Sequence, residues 1–239
     1  MKKLVMLLGL VILSWGDDFT LGFEMFLKGD YQKAVEYYNK ACDGKIIQAC
    51  TELGFMYAYG LGIKQDYLKA IEYFQISCDS KEVAGCFELG YTYSRMYYSG
   101  KGVKQDYFKA IKYFEKACDG GYALGCFELS GIYEGVEQNY FKALELYQKA
   151  CDGGFTSGCY NLGMMFYKGQ GVKQNYFKAV VLFEIACDDG NASGCDNLGL
   201  MFHKGEAIKQ DFLKAKEFYG KACDLGSQSG CDGYRMLNN

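Results

Sequence analysis

The stretch Lys149-Ala-Cys-Asp-Gly-Gly-Phe-Thr-Ser-Gly-Cys-Tyr-Asn-Leu-Gly163 decides how this chain is read, because a version of it recurs six times and every version contains Cys-x7-Cys. The pairs are Cys42 and Cys50, Cys78 and Cys86, Cys118 and Cys126, Cys151 and Cys159, Cys187 and Cys195, and Cys223 and Cys231, which together use all 12 cysteines. Successive first cysteines lie 36, 40, 33, 36 and 36 residues apart. A period in this range marks a helical solenoid, and it overrides the domain count that length alone suggests.

Working outward from the cysteines, each unit reads as two helices. The segment after the second cysteine, as in Cys50-Thr-Glu-Leu-Gly-Phe-Met-Tyr57, puts cysteine, leucine and aromatic at i, i+3 and i+7, one face of a helix, here called helix A. Its glycine column (Gly54, Gly90, Gly163 and Gly199, with Ser130 as the variant) costs helix propensity, so close approach of a neighbouring helix is expected there. A connector such as Gly60-Leu-Gly-Ile-Lys-Gln-Asp66 follows. It closes on Asp30, Asp66, Asp106, Asn139, Asn175 or Asp211, residue types that cap helix N-termini. Helix B then runs as Tyr67-Leu-Lys-Ala-Ile-Glu-Tyr-Phe-Gln-Ile-Ser-Cys78, with small, aromatic and small columns at Ala110, Phe114 and Ala117 and their equivalents. The residues after the first cysteine, as in Cys118-Asp-Gly120, supply a left-handed stop. Two units depart from the period between helices A and B: Leu89 to Tyr107 is four residues longer than Leu53 to Tyr67, and Leu129 to Tyr140 is three shorter. Asp17 to Lys28 reads as a first helix A without a cysteine, and Gly230 to Leu237 as a truncated last one.

The chain opens with Lys2-Lys3, an apolar run from Leu4 to Leu13, and Ser14-Trp15-Gly16, the pattern of a secretory signal peptide. The run is too short for a membrane span, which needs about 20 residues. Cleavage near Gly16 is expected, giving residues 1–16 as leader and 17–239 as a single repeat solenoid with no membrane association. Loss of Lys2 and Lys3 takes the net charge from −3 to −5, which leaves no electrostatic footprint for nucleic acid.

Export and an even cysteine number at fixed spacing argue for disulfides, each joining the end of helix B to the start of the next helix A. A closed loop of nine residues contributes about 2.5 kcal/mol on the chain-entropy account. Two rival uses of paired thiols fit less well. Zinc favours shorter Cys-x2-4-Cys spacing and often histidine, and the chain has only His203; redox catalysis favours Cys-x2-Cys, which is missing. No metal or other cofactor is expected.

Gly-Cys-x2-Leu-Gly-x2-Tyr, then Gly-x-Gly-Val-Lys-Gln-Asp, then Lys-Ala-x3-Phe-x2-Ala-Cys-Asp resembles the tetratricopeptide repeat and more closely its Sel1-like relative. With paired cysteines in each repeat and a leader, residues 19 to 237 look like the secreted Helicobacter cysteine-rich proteins. The resemblance implies an all-α, right-handed superhelical solenoid of helix-turn-helix repeats in an extracellular or periplasmic setting. It also implies penicillin binding and β-lactam hydrolysis, or a non-catalytic scaffold that engages host or cell-envelope proteins.

Hydrolysis of this kind uses Ser-x2-Lys, Ser-Asp-Asn and Lys-Thr-Gly, none of which occurs in the chain, so the catalytic residues are unknown. His203, eight positions after Cys195, reads as a helix-surface residue or, less economically, a general base. Asn191-Ala-Ser193 fits an N-glycosylation pattern that is incidental in an exported bacterial-style chain. By analogy with tetratricopeptide repeats, ligands would lie on a concave face lined by helix A. Position two after the second cysteine supplies Glu52, Glu88, Glu128, Asn161 and Asn197. Position five adds Phe55, Tyr91, Met164 and Leu200, and position one adds Phe87, Phe127 and Tyr160. An apolar groove with an acidic first half and an amide-bearing second half suits a peptide or protein with basic groups, or a peptidoglycan-like fragment, bound by a monomer. The alternative reading of each of these aromatics is packing between repeats.

Overall fold

The computed structural model describes residues 17–95, 106–205 and 209–238; residues 1–16, expected as a leader, and the longer segment after Leu89, over 96–105, lie outside them. The described residues form thirteen helices and no strand. The chain divides into two compact units, one ending at Gly120 and the other beginning at Gly121. In the first unit, α1 (Asp17–Leu27), α3 (Ile47–Tyr59) and α5 (Val83–Arg95) are helices A, and α2 (Tyr31–Asp43), α4 (Tyr67–Asp79) and α6 (Tyr107–Asp119) are helices B. In the second, α7 (Ala123–Gly135), α9 (Thr156–Lys168), α11 (Ala192–Lys204) and the short α13 (Gln228–Met236) alternate with α8 (Tyr140–Asp152), α10 (Tyr176–Asp188) and α12 (Phe212–Asp224). Within each unit every helix packs on the next in sequence, so the core is built from near neighbours, as in repeat solenoids.

Each helix B begins where its cap is. Asp66 accepts the backbone N–H groups of Leu68 and Lys69 at 3.0 and 3.2 Å, and Asn175 accepts that of Lys178 at 3.0 Å. Asp30, Asp106, Asn139 and Asp211 do the same in their repeats. A cap of this kind is worth about 1 kcal/mol.

The other end of helix B differs from expectation. Gly120 and Gly153 have φ of −76° and −78°, and the left-handed residue comes one place later, at Lys45, Lys81, Gly121, Gly154, Gly190 and Gly226. The N–H of Gly44 still bonds to the Lys40 carbonyl at 2.9 Å, so the helix continues through that residue; the reversal follows, with Ile46 N–H bonded to the Ala41 carbonyl at 2.9 Å. Helix A then starts earlier than expected, at Ile47, Val83 or Thr156, three residues ahead of its cysteine. The turn is therefore short, and it brings the two cysteines close. Their Cα atoms are 4.9 Å apart in Cys42–Cys50, 4.5 Å in Cys78–Cys86, 4.5 Å in Cys151–Cys159, 4.7 Å in Cys187–Cys195 and 4.4 Å in Cys223–Cys231, and all five pairs are bridged. Neither Cys118 nor Cys126 is free.

The glycine column carries the packing. A Cβ on Gly90 would lie 2.6 Å from Cδ1 of Phe114, one on Gly163 2.8 Å from Cε1 of Phe183, and one on Gly199 2.6 Å from Cδ1 of Tyr219. The aromatic ring of helix B thus sits in the notch that the missing side chain leaves, and Phe114 and Phe183 are fully buried. Real Cβ contacts are longer than this, which is why the column tolerates poor helix propensity. Ser130, the variant, donates its hydroxyl to the Phe127 carbonyl at 2.6 Å.

A second column, of lysines, runs along the starts of helices B. Lys69, Lys109, Lys142, Lys178 and Lys214 place their ammonium groups 4.7 to 5.2 Å from the ring centroids of Tyr57, Tyr93, Tyr133, Phe166 and Phe202. Each stack pins the start of a helix B onto its helix A through a cation–π contact.

Candidate functional site

Helix A presents positions one, two and five on one side, and the structure divides those residues between packing and surface. Phe87 is 6% exposed and lies against Phe114 with centroids 5.7 Å apart; it is a core residue, and the expectation that it lines a groove is corrected. Its ring packs down onto the fully buried Phe114 of helix B. The others are half-buried. Phe55 meets Phe74 edge-on at 5.5 Å and stacks on Tyr59 at 6.3 Å, and Tyr91 lies 6.0 Å from Phe87. In the second unit Phe127 touches Phe155 at 4.8 Å and Tyr147 at 5.8 Å, and Tyr160 leans on Phe183 at 5.8 Å. These rings are anchored from beneath and keep one edge for solvent.

The polar members form two groups. In the second unit the Asn197 amide donates to the Tyr160 hydroxyl at 3.3 Å and to the Ser193 carbonyl at 3.0 Å, and lies 3.8 Å from the Met164 sulfur. Adjacent helices A thus share one network, beside half-buried Leu200, Asn161 and Glu128. Tyr147 below them donates to Glu134 at 2.8 Å; burial and then that carboxylate push its phenol up.

In the first unit, Glu52 on α3 and Glu88 on α5 hold equivalent positions on successive helices A. Burial, and after it the negative charge of Glu52, pushes the Glu88 carboxyl up to about 7, and burial pushes Glu52 up as well. The charge of Glu52 also reaches the hydroxyl of Tyr38 on α2, whose own pKa is raised first by burial.

His203 is half-buried between Phe212 and Tyr219, edge-on at 5.7 and 6.4 Å, and its ring makes no hydrogen bond among the described residues. Its general-base reading gains nothing from that setting, since no nucleophile or orienting carboxylate touches the ring. With no cysteine free, a thiolate nucleophile is excluded. No group of three or more potential metal ligands occurs among the described residues. The Asn191 side chain accepts the Gly194 N–H at 2.9 Å and so caps α11. No helix among the described residues is long and apolar enough to cross a membrane.

The Sel1 repeat model matches residues 19–45, 47–81, 83–122, 122–155, 156–191 and 192–227. HcpD of Helicobacter pylori, which carries a provisional β-lactamase name, is 41% identical over 44 residues, 18% of this chain and 14% of that protein. Among solved structures, the protective antigen c5321 of uropathogenic Escherichia coli, with an SLR fold, superposes with a TM-score of 0.81 at 31% identity over 92% of this chain and 47% of its own. A Sel1 repeat protein of Oxalobacter formigenes superposes with a TM-score of 0.76 at 21% identity over 94% and 89%, a likeness of fold. The chain spans less than half the length of HcpD and of c5321.

Proposed function

The chain belongs to the Sel1 repeat family, and from that premise we propose that it is a non-catalytic scaffold that holds a protein partner or extended peptide along its helix A faces, outside the reducing cytoplasm. The observation that carries this reading is the split within helix A. Leu53, Leu89, Leu162 and Leu198 are fully buried, whereas Glu52, Phe55, Glu88, Tyr91, Tyr160, Asn161, Met164, Asn197 and Leu200 keep half-open apolar and polar edges. Such mixed, anchored surfaces suit peptide recognition, where rigid aromatics supply contact area at little entropic cost.

A β-lactam hydrolase finds no support in the residues. There is no serine motif, no free thiol and no metal-ligand cluster among the described residues, and the HcpD likeness spans a seventh of that protein. The leader over residues 1–16 completes the proposal by delivering the chain to a compartment where its disulfides form. The mature N-terminus is expected at residue 17.

The reading is tested by selecting extended peptides from a random library on the purified oxidised protein. Selected peptides should lose about tenfold or more in affinity on combined charge reversal of Glu52, Glu88 and Glu128, and little on Phe108→Ala and Phe177→Ala, two exposed residues of helices B. The opposite pattern would move the binding surface to helices B and end this proposal. Incubation with a chromogenic cephalosporin should give neither turnover nor a covalent adduct by intact mass.

A further inference from the structure

We propose that the outer face of α10 in the second unit is a docking site for one amphipathic helix of a partner protein, whose apolar ridge it receives and whose flanking charges it pairs. The site is on a helix B, so it is separate from the helix A faces and does not depend on what they bind.

α10 departs from every other helix B at its outward positions. Counted from Tyr176, positions two, six and ten are Phe177, Val181 and Ile185, a spacing that puts them on one face. In the other helices B position six is Glu36, Glu72, Lys112, Glu145 or Glu217, and position ten is Lys40, Lys116, Lys149 or Lys221, with Ile76 the single apolar case. All of these residues are exposed, so both columns point outward throughout. On α10 the outward face is apolar along its whole length, with Phe177 66% exposed, Val181 54% and Ile185 42%. Its inward face is the ordinary buried one of Ala179, Phe183 and Ala186. A helix that is apolar all round is normally covered all round, and this one has a side left open.

The open stripe borders a recess. Between α8 and α10 lies a groove of about 340 Å³ lined by Gln148, Phe166, Phe177, Lys178, Val181 and Leu182. The Lys178 ammonium is held over the Phe166 ring at 4.9 Å, and the Gln148 amide donates to Asp152 at 2.8 Å. The polar walls therefore have partners already, and what the groove offers is apolar surface. A stripe at i, i+4 and i+8 beside such a groove matches the ridge of an amphipathic helix, whose anchors repeat at i, i+4 and i+7.

The flanking charges select the occupant. α8 and α12 are the helices B before and after α10, and they carry Glu145 and Glu217 at the position of Val181, and Lys149 and Lys221 at that of Ile185. Glu217 and Lys221 meet at 3.1 Å, an exposed pair weak enough to be exchanged for contacts with a partner. A second copy packed face to face about Val181 would set glutamate against glutamate on both flanks. An anionic lipid surface would meet the same two carboxylates. A helix that carries basic residues on one turn and acidic residues on the next meets opposite charge at both levels.

The probe is a blocked peptide of about five helical turns with leucines at i, i+4, i+7 and i+11, glutamate and lysine alternating by turn on the flanks, and alanine elsewhere. The control peptide has the same composition with its leucines scattered round the helix. Val181→Glu with Ile185→Lys gives α10 the residues that α8 and α12 carry at these positions, so the variant should fold, with circular dichroism as the check. The ridge peptide should shift the methyl signals of Val181 and Ile185 in the NMR spectrum of the oxidised protein and bind at least tenfold more tightly than the control. The Val181 and Ile185 double variant should weaken it at least tenfold, and Glu145→Lys with Glu217→Lys severalfold. Equal binding of the control, indifference to the Val181 and Ile185 double variant, or no binding of the ridge peptide at millimolar concentration overturns the proposal. A dimer in sedimentation that this double variant abolishes would overturn it in favour of a second copy. Cosedimentation with phosphatidylglycerol vesicles that the variant abolishes would overturn it in favour of a membrane. The helix A faces are probed separately, by charge reversal at Glu52, Glu88 and Glu128, so failure here leaves that reading standing.

Discussion

Replacing Gly163 and Gly131 by alanine should change stability in opposite directions, although both are glycines inside helices A of the second unit. At either site alanine gains about 1 kcal/mol of helix propensity. At Gly131 nothing lies within 4 Å of the new Cβ, so the gain is kept, and the variant should be roughly 0.5–1 kcal/mol more stable than the parent. At Gly163 the Cβ would stand 2.8 and 2.9 Å from two carbons of Phe183 and 3.2 Å from Cβ of Leu182. The ring is fully buried and cannot swing away, and the Leu182 Cβ moves only with the backbone. Overpacking of this kind costs about 1–3 kcal/mol, which exceeds the propensity gain and leaves a net loss of about 1 kcal/mol. Thermal melts of the oxidised protein followed by circular dichroism would resolve this, since 1 kcal/mol corresponds to roughly 2–4 °C for a chain of this size. A Phe183→Leu replacement should cost less in the Gly163→Ala background than in the parent, because the smaller side chain relieves the contact. A Gly163→Ala variant that melts at or above the parent would refute the notch account of the glycine column.

Two further outcomes are expected. Replacing Cys78 and Cys86 together by serine should lower stability by about 2.5 kcal/mol, the chain-entropy value for one nine-residue loop, with helix content kept by circular dichroism; an unchanged denaturation midpoint would show that the short turn alone joins the helices. The Glu88 carboxyl has a folded-state pKa of about 7 against an ordinary 4.5, so its charged form is disfavoured on folding. Its contribution is therefore lost as pH rises from about 4.5 to about 7, and Glu88→Gln should flatten that part of the stability profile, with Glu52 the charged group that acts on it. A profile in which the Gln variant falls as steeply as the parent would remove Glu88 as the cause.

Much of the architecture was legible because each repeat buries its core through local spacing. Leu53 and Tyr57 follow Cys50 at i+3 and i+7, and Asp66 announces helix B. Helix limits were less legible: the left-handed reversal falls on Lys45 and Lys81 as well as on glycines, so composition alone misplaces the turn by a residue. For the candidate surface, members of one column are not equivalent in burial. Within position one Phe87 is core whereas Phe127 and Tyr160 are half-open, a difference the column itself does not announce. The lysine stacks went unread because lysine in a helix looks like ordinary solvent-facing charge.

The sequence by itself determined the all-helical repeat, its capping and the pairing of cysteines eight residues apart, since these are consequences of contacts within about forty residues of chain. Tertiary structure alone decided that Gly90, Gly163 and Gly199 are notches for specific rings, that lysines lie over aromatics of the preceding helix, and that the buried Tyr38 hydroxyl has no hydrogen-bond partner. Periodicity specifies which face a residue shares. Only packing specifies which atoms meet there and which polar groups are left unsatisfied.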